Sequence, residues 1–249
     1  MPSLGLRSSV HHPQALRLGV SLRNDITQKA PASCDYQSVL RAGQLDSLGN
    51  DVAPDCVEAG NYWQVAMRVA KAEGSAWRPT AEQAIALLGK WGSPTEGTNL
   101  ADAQRFAATD GIPMGIDLDV VLPVAIGTDP DEISRATWLY GSAGLCWNLP
   151  AYLQDAAYRD IWDVADPGAS EAAIVPGGWG AHYTTSGRYT AADRAVISWG
   201  YQPIVTPAFA ALYLVSACAG LSRRWCDAMG RSPAGWDWAQ ADAARRMFA

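Results

Sequence analysis

The sequence predicts an α+β fold, with a helical first part and a strand-rich second part. Apolar residues recur at helical spacing after Cys56 and again up to residue 110. Runs rich in branched residues gather after residue 115, and neither an internal repeat nor a regular strand–helix alternation points to a parallel doubly wound sheet. With 249 residues, 49% hydrophobic and 18% charged, the chain can bury a substantial core and has the composition of a folded globular protein. Its length fits one large domain or two closely packed lobes.

Taken in order, residues 1–45 carry scattered Pro, Gly, Ser and Asp with weak periodicity and read as an arm laid over the main body. From Cys56 to Glu73, Cys56, Gly60, Trp63 and Met67 fall on one face that Ala59, Tyr62, Ala66, Val69 and Ala70 widen, which predicts a buried central helix. Asp55 stands where it can cap this helix or open its first turn, and Gly74 where it can end it. Small residues at 56 and 60 imply close packing against another element. Pro79-Thr80 followed by Gln83 has capping-box spacing and starts a second helix, AEQAIALLGKW, that stops at Gly92-Ser93-Pro94. A third helix covers Asn99–Thr109 and ends at Asp110-Gly111, so a helical lobe is expected over residues 46–112.

The character then changes. Ile116–Ile126 reads as a strand interrupted or ended near Pro123, Asp131–Tyr140 as a short helix, and Ala143–Leu149 as a strand. Tyr152–Val175 is polar, Asp-rich and loop-like. Strands are expected around His182–Gly187 and Ala195–Trp199, joined near Tyr189–Asp193. Thr206-Pro207 starts another helix. The apolar run Phe209–Leu221 reads as a buried helix, shorter than the roughly 20 residues that cross a bilayer. These elements make a β-rich lobe with helical insertions over 113–221. The segment WDWAQADAARRMF predicts a final helix in a C-terminal extension over 222–249.

A net charge of −6 gives little electrostatic support to nucleic-acid binding. The N-terminus has no continuous apolar core of a signal peptide, and no membrane association is expected. Five cysteines at 34, 56, 146, 218 and 226, without CxxC spacing and with only three histidines, make a poor zinc site and read as reduced thiols. Cys146, Cys218 and Cys226 read as packing residues, while Cys34 lies in a polar loop where exposure alone could make it reactive. Neither a calcium loop nor a nucleotide-binding glycine motif is present, so no metal or organic cofactor is expected. Among eleven tryptophans, Trp147, Trp162, Trp179, Trp236 and Trp238 either line a groove or protein interface or fill a wide lobe junction.

Chemistry centres on Cys56. A thiol at a helix N-terminus sits near unpaired N–H dipoles that favour the thiolate, and it needs a base, most simply His182, the one histidine outside the pair His11-His12. The oxyanion of an attacked carbonyl would need donors, for which the Cys56 backbone N–H and the Asn50 amide are the candidates. Each residue also has a plain structural reading: Cys56 as a small core residue, His182 as a hydrogen-bonder between strands, Asn50 as a turn residue in Gly49-Asn50-Asp51.

The order of these landmarks resembles the papain-like cysteine peptidase superfamily. Asn50 falls at the position of that family's oxyanion Gln, Cys56 at its nucleophile opening a central helix, His182 at its base, and Ile197-Ser198-Trp199-Gly200 at its Asn-Ser-Trp-Gly segment. The phrase GNDVAPDCVEAG looks like a divergent branch from bacteria and their phages. The resemblance spans about residues 45–216. It implies a papain-like fold with an N-terminal helical lobe and an antiparallel β-rich lobe, and Cys56, His182 and Asn50 as catalytic residues of a thiol protease hydrolysing peptide amides. It also implies a peptide or protein partner, and together with the reduced thiols it leads to an expected cytoplasmic or virion-associated location. Ile197 replaces the Asn that orients the histidine; Ser198, Gln202, Asp193 or a backbone carbonyl are the candidate substitutes. The alternative is an inactive papain-fold protein with a structural or binding role, for instance in a phage or bacterial assembly.

Overall fold

The computed structural model describes residues 4–13, 15–17, 29–40, 45–155, 160–165, 168–227, 229–239 and 243. In chain order its elements are β1 (Leu6–Ser8), β2 (Leu16–Arg17), β3 (Cys34–Asp35), α1 (Cys56–Glu73), α2 (Ala81–Trp91), β4 (Thr98–Asn99), α3 (Leu100–Thr109), β5 (Ile112–Met114), β6 (Asp117–Asp119) and β7 (Val121–Ile126). There follow α4 (Pro130–Tyr140), β8 (Ala143–Leu149), β9 (Ile161–Trp162), α5 (Glu171–Ile174), β10 (Gly180–Tyr189), β11 (Arg194–Ile197), β12 (Ile204–Val205), α6 (Pro207–Tyr213) and β13 (Leu214–Ser222). Helices α1 to α3 form one lobe. The other is built on a sheet ordered β2-β7-β13-β8-β10-β11-β12-β9, with β3 added to the far end of β10.

Helix α1 keeps the boundaries its pattern predicts and ends on Gly74 in the left-handed region, φ 65°. It is more than one-sided: residues from Cys56 to Val69 are buried almost without interruption, so it is the spine of its lobe. Asp55 occupies the N-cap position, but its side chain makes no cap bond. The α2 cap forms as its spacing predicts, with the Gln83 N–H donating to the Thr80 hydroxyl and the Thr80 N–H to the Gln83 side chain.

Three expectations are corrected. The run Phe209–Leu221 is helical only to Tyr213; Leu214–Ser222 is a strand in the middle of the sheet, between β7 and β8. A strand buried on both faces loses the alternation that marks half-buried strands, and so reads like a buried helix. Pro123 neither ends nor interrupts its strand but lies inside β7, opposite Gly220, and the outer neighbour β2 begins only at Val124. Finally, Tyr152–Val175 is not a bare loop, since β9 and α5 lie within it. Much of the predicted tail helix over 236–248 lies outside the described residues. The described part of that tail packs Trp225 and Trp236 into the sheet lobe, where both indole N–H groups donate to the Leu139 carbonyl.

The two lobes meet where α1 crosses β10. Gly60 allows the approach, because a Cβ there would stand 2.6 Å from the Tyr183 ring. The Gln64 amide donates to the Tyr183 and Thr185 hydroxyls, and the Thr185 hydroxyl donates to the Gly60 carbonyl at 2.8 Å. Beside this seam the buried Arg68 guanidinium pairs with Asp119 at 3.1 Å, donates to Gln64, and shares Asp119 with the Ser222 hydroxyl. Of the tryptophans, Trp147, Trp162 and Trp236 are buried in the sheet lobe's core, with Trp179, Trp199 and Trp238 packed against it, and Trp147 also faces a cavity of that lobe.

Candidate active site

Cys56 is the first residue of α1, and the turn 47–53 delivers the chain to it. Its thiol is 1% exposed. The backbone N–H groups of Tyr183 on β10 and of Gly5 in the N-terminal segment lie near the sulfur and favour its thiolate. The Tyr183 contact brings the thiol to the start of β10, one residue from His182. Burial first, and then the Glu58 and Asp55 carboxylates, push the thiol up to about 12 against the help of those N–H groups.

His182 is also buried, at 1% exposure, and burial alone pulls its pKa down to about 3. The ring is held on two sides. Its Nε2 lies 2.8 Å from the Ser198 hydroxyl, and Trp199 stacks on its face at 4.2 Å with planes 12° apart. Trp199 sits at φ 49°, a left-handed backbone rare for a large side chain, in the tight turn that Ser198 and Tyr201 close. The other nitrogen, Nδ1, is buried with no hydrogen-bond partner among the described residues. Ser198 therefore takes the place beside the histidine for which four substitutes stood open, while Ile197 turns into the core around α1.

Asn50 lies buried in the turn before α1. Its amide donates to the Ala53 carbonyl at 3.3 Å and sits beside the Asp55 carboxylate. Asp55 and Glu58, both fully buried, form an acidic pair that the sequence pattern did not single out. Burial, then Glu58, raises Asp55 to about 8. Burial raises Glu58 to about 7, although the Thr98 hydroxyl donates to it at 2.6 Å. Cys34, expected to be reactive through exposure, is half-buried at the start of β3, and burial pushes its thiol up to about 11. Among the described residues no group of three His, Cys, Asp or Glu could hold a metal.

The N-terminal segment packs against both lobes near Cys56. Strand β1 pairs in parallel with β4, and the Thr98 N–H donates to the Gly5 carbonyl at 2.7 Å. Gly5 is so tightly held that a Cβ on it would lie 1.8 Å from the Pro54 carbonyl oxygen, and Leu4 fills the space beside Gly180. Leu6 belongs to the core around α1, whereas Leu4 packs on the core of the sheet lobe. Residues 4–6 thus bridge the two lobes, with the Gly5 N–H near the sulfur.

No sequence profile of a known family matches the chain, and no curated protein does so by sequence. Solved structures do match in shape. Xylellain, a cysteine protease from Xylella fastidiosa, is similar over 88% of this chain and 96% of its own, with a TM-score of 0.61 and 8% identity. ProCathepsin B S9 from Trypanosoma congolense covers 88% of this chain and 86% of its own, with a TM-score of 0.62 and 11% identity. Procathepsin L 3 of Tenebrio molitor covers 85% and 75%, at 0.52 and 14%. The chain has the papain-like fold, and these structural neighbours are cysteine proteases.

Proposed function

We propose that the chain is a cysteine-dependent amide hydrolase acting on peptides or proteins, seen here with its cleft filled by its own residues 4–8. The observation that carries this reading is the meeting of Cys56 at a helix start with the beginning of β10. There His182 is oriented by Ser198 and Trp199, and its Nδ1 has no hydrogen-bond partner among the described residues. In the open form His182 takes the Cys56 proton, and the sulfur bonds to the substrate carbonyl carbon. The Cys56 N–H and the Asn50 amide, turned from Ala53, hold the oxyanion. As the C–N bond breaks, His182 returns the proton to the leaving amine. It then deprotonates the water that releases the acid from the thioester and restores the thiol.

In the closed form both groups are neutral, since burial has moved their pKa values far apart in the direction that opposes an ion pair. That same burial favours a second reading, a papain-fold protein whose permanently filled cleft serves binding or assembly, in a phage particle or a bacterial complex. The two readings differ in what happens when the segment is dislodged. Gly5→Leu cannot be accommodated against Pro54. Under the hydrolase reading it speeds labelling of Cys56 by a thiol-directed electrophile and unmasks cleavage of a peptide library, and Cys56→Ala abolishes both. A Gly5→Leu protein that is labelled rapidly yet cleaves nothing favours the binding reading; one labelled no faster than the unaltered chain removes the hydrolase reading.

A further inference from the structure

The sheet lobe holds a second concavity, a cavity of about 310 Å³ between the start of α4, the β10–β11 turn and α6. Its walls are mainly apolar, including Ile133, Leu145, Trp147, Val205 and Leu214. Arg194 is the one cationic residue on its lining. It lies opposite Tyr189, seven residues along β10 from His182, which is about 23 Å at the rise of a strand.

Arg194 has an unusual set of partners. Its Nη1 donates to the Thr137 and Ser186 hydroxyls at 3.2 and 3.5 Å, its Nη2 to the Ser134 hydroxyl at 2.9 Å, and its guanidinium lies over the Tyr189 ring. Each of those hydroxyls commits its own proton to a carbonyl: Ser134 to Pro130, Thr137 to Ile133 and Ser186 to Arg188. All three therefore face the guanidinium with lone pairs, as neutral acceptors. No carboxylate pairs with Arg194 among the described residues. Asp193, the acidic residue on the lining, is instead bonded within its own turn to the Thr190 hydroxyl. The Nε–H and one Nη2–H of Arg194 have no protein acceptor there. A half-buried cation without a counter-charge is only partly hydrated, and desolvation pulls this one down to about 10.

We propose that this cavity binds a small monocarboxylate with an apolar body, whose carboxylate supplies the anion that Arg194 lacks. A carboxylate can accept two parallel N–H bonds from a guanidinium, and the apolar walls suit the remainder of the molecule. The volume lies at the lower end of ligand sites, roughly 300–1,000 Å³, which sets the size at that of a medium-chain fatty acid. The site is separate from the Cys56 cleft and does not depend on hydrolase activity.

The test is calorimetric titration of the full chain with octanoate and with octanamide, which has the same tail and a neutral head. Octanoate is expected to bind, with octanamide about tenfold weaker or more. Arg194→Gln should weaken octanoate by about the same factor, and Ala210→Phe, which intrudes on the cavity from α6, should abolish binding. Equal affinity for the two ligands, unchanged octanoate binding in either variant, or no octanoate binding at millimolar concentration overturns the proposal. If Arg194→Gln fails to fold, the comparison of the two ligands and the Ala210→Phe variant decide between these outcomes.

Discussion

The Ile197-Ser198 pair shows how a single position along a strand end decides which group serves the histidine. Successive side chains on an extended strand face opposite ways, so if Ile197 points into the core around α1, its neighbour points to the other side. Ser198 reaches His182 for that reason. Cys56 and His182 stand out in the sequence because their residue types and order are distinctive. Ser198 does not, because one hydroxyl among several polar neighbours carries no signature. In an opened protein, Ser198→Ala should lower peptide cleavage by about tenfold or more, short of the roughly 10⁴-fold effect of disabling a charged orienting group. Cleavage at the rate of the opened parent would deny Ser198 an orienting role.

The acidic pair makes its own prediction. The folded chain holds the Asp55 and Glu58 protons up to about pH 8 and 7, whereas the unfolded chain releases them near the ordinary carboxylate values of 3.8 and 4.5. Between those limits the unfolded state binds fewer protons, so stability falls as pH rises through the window. Asp55→Asn removes one of the two groups. Its stability relative to the parent should improve by about 1 kcal/mol or more between pH 5 and pH 9 in urea unfolding. Parallel pH profiles for the two proteins would show that Asp55 ionises normally.

At the scale of elements, the amphipathic and capped helices were legible, because their signals are local: a 3.6-residue period, the Thr80–Gln83 box, a glycine stop. Strand β13 was not. Its residues Ala217, Cys218, Ala219 and Gly220 are small and apolar on both faces, and only the neighbours β7 and β8, distant in sequence, make it a strand. Close contact between α1 and β10 was readable from Gly60, although its partner was not. The Tyr183 ring that Gly60 meets is pinned by Gln64 and lies against Cys218, so it has little room to retreat. Gly60→Ala should therefore cost about 1–3 kcal/mol in denaturant unfolding, despite the better helix propensity of alanine. A neutral or stabilising effect would mean that the helix and strand are less tightly apposed.

For the whole molecule, the lobes are joined by a hydrophobic seam and by a buried ionic network, Arg68–Asp119 with Gln64 and Ser222. Asp119→Ala strands the Arg68 charge in the interior and should cost about 3–5 kcal/mol. Replacing both partners with apolar residues should recover much of that loss. A double variant as unstable as the single one would show that packing, not the stranded charge, is responsible. The course of residues 4–8 was the largest feature beyond sequence reading, since composition marks an arm without saying where it lies.

Under the hydrolase reading, that arm is tethered to the cleft it fills. A separate inhibitor dissociates on dilution, but a covalently attached one stays at a fixed local concentration however thin the solution becomes. Uncovering of the sulfur is then a one-molecule event, and the fraction of open protein is the same at nanomolar as at micromolar levels. A change in the chain itself, or a competitor that takes the Thr98 N–H from Gly5, would shift that fraction.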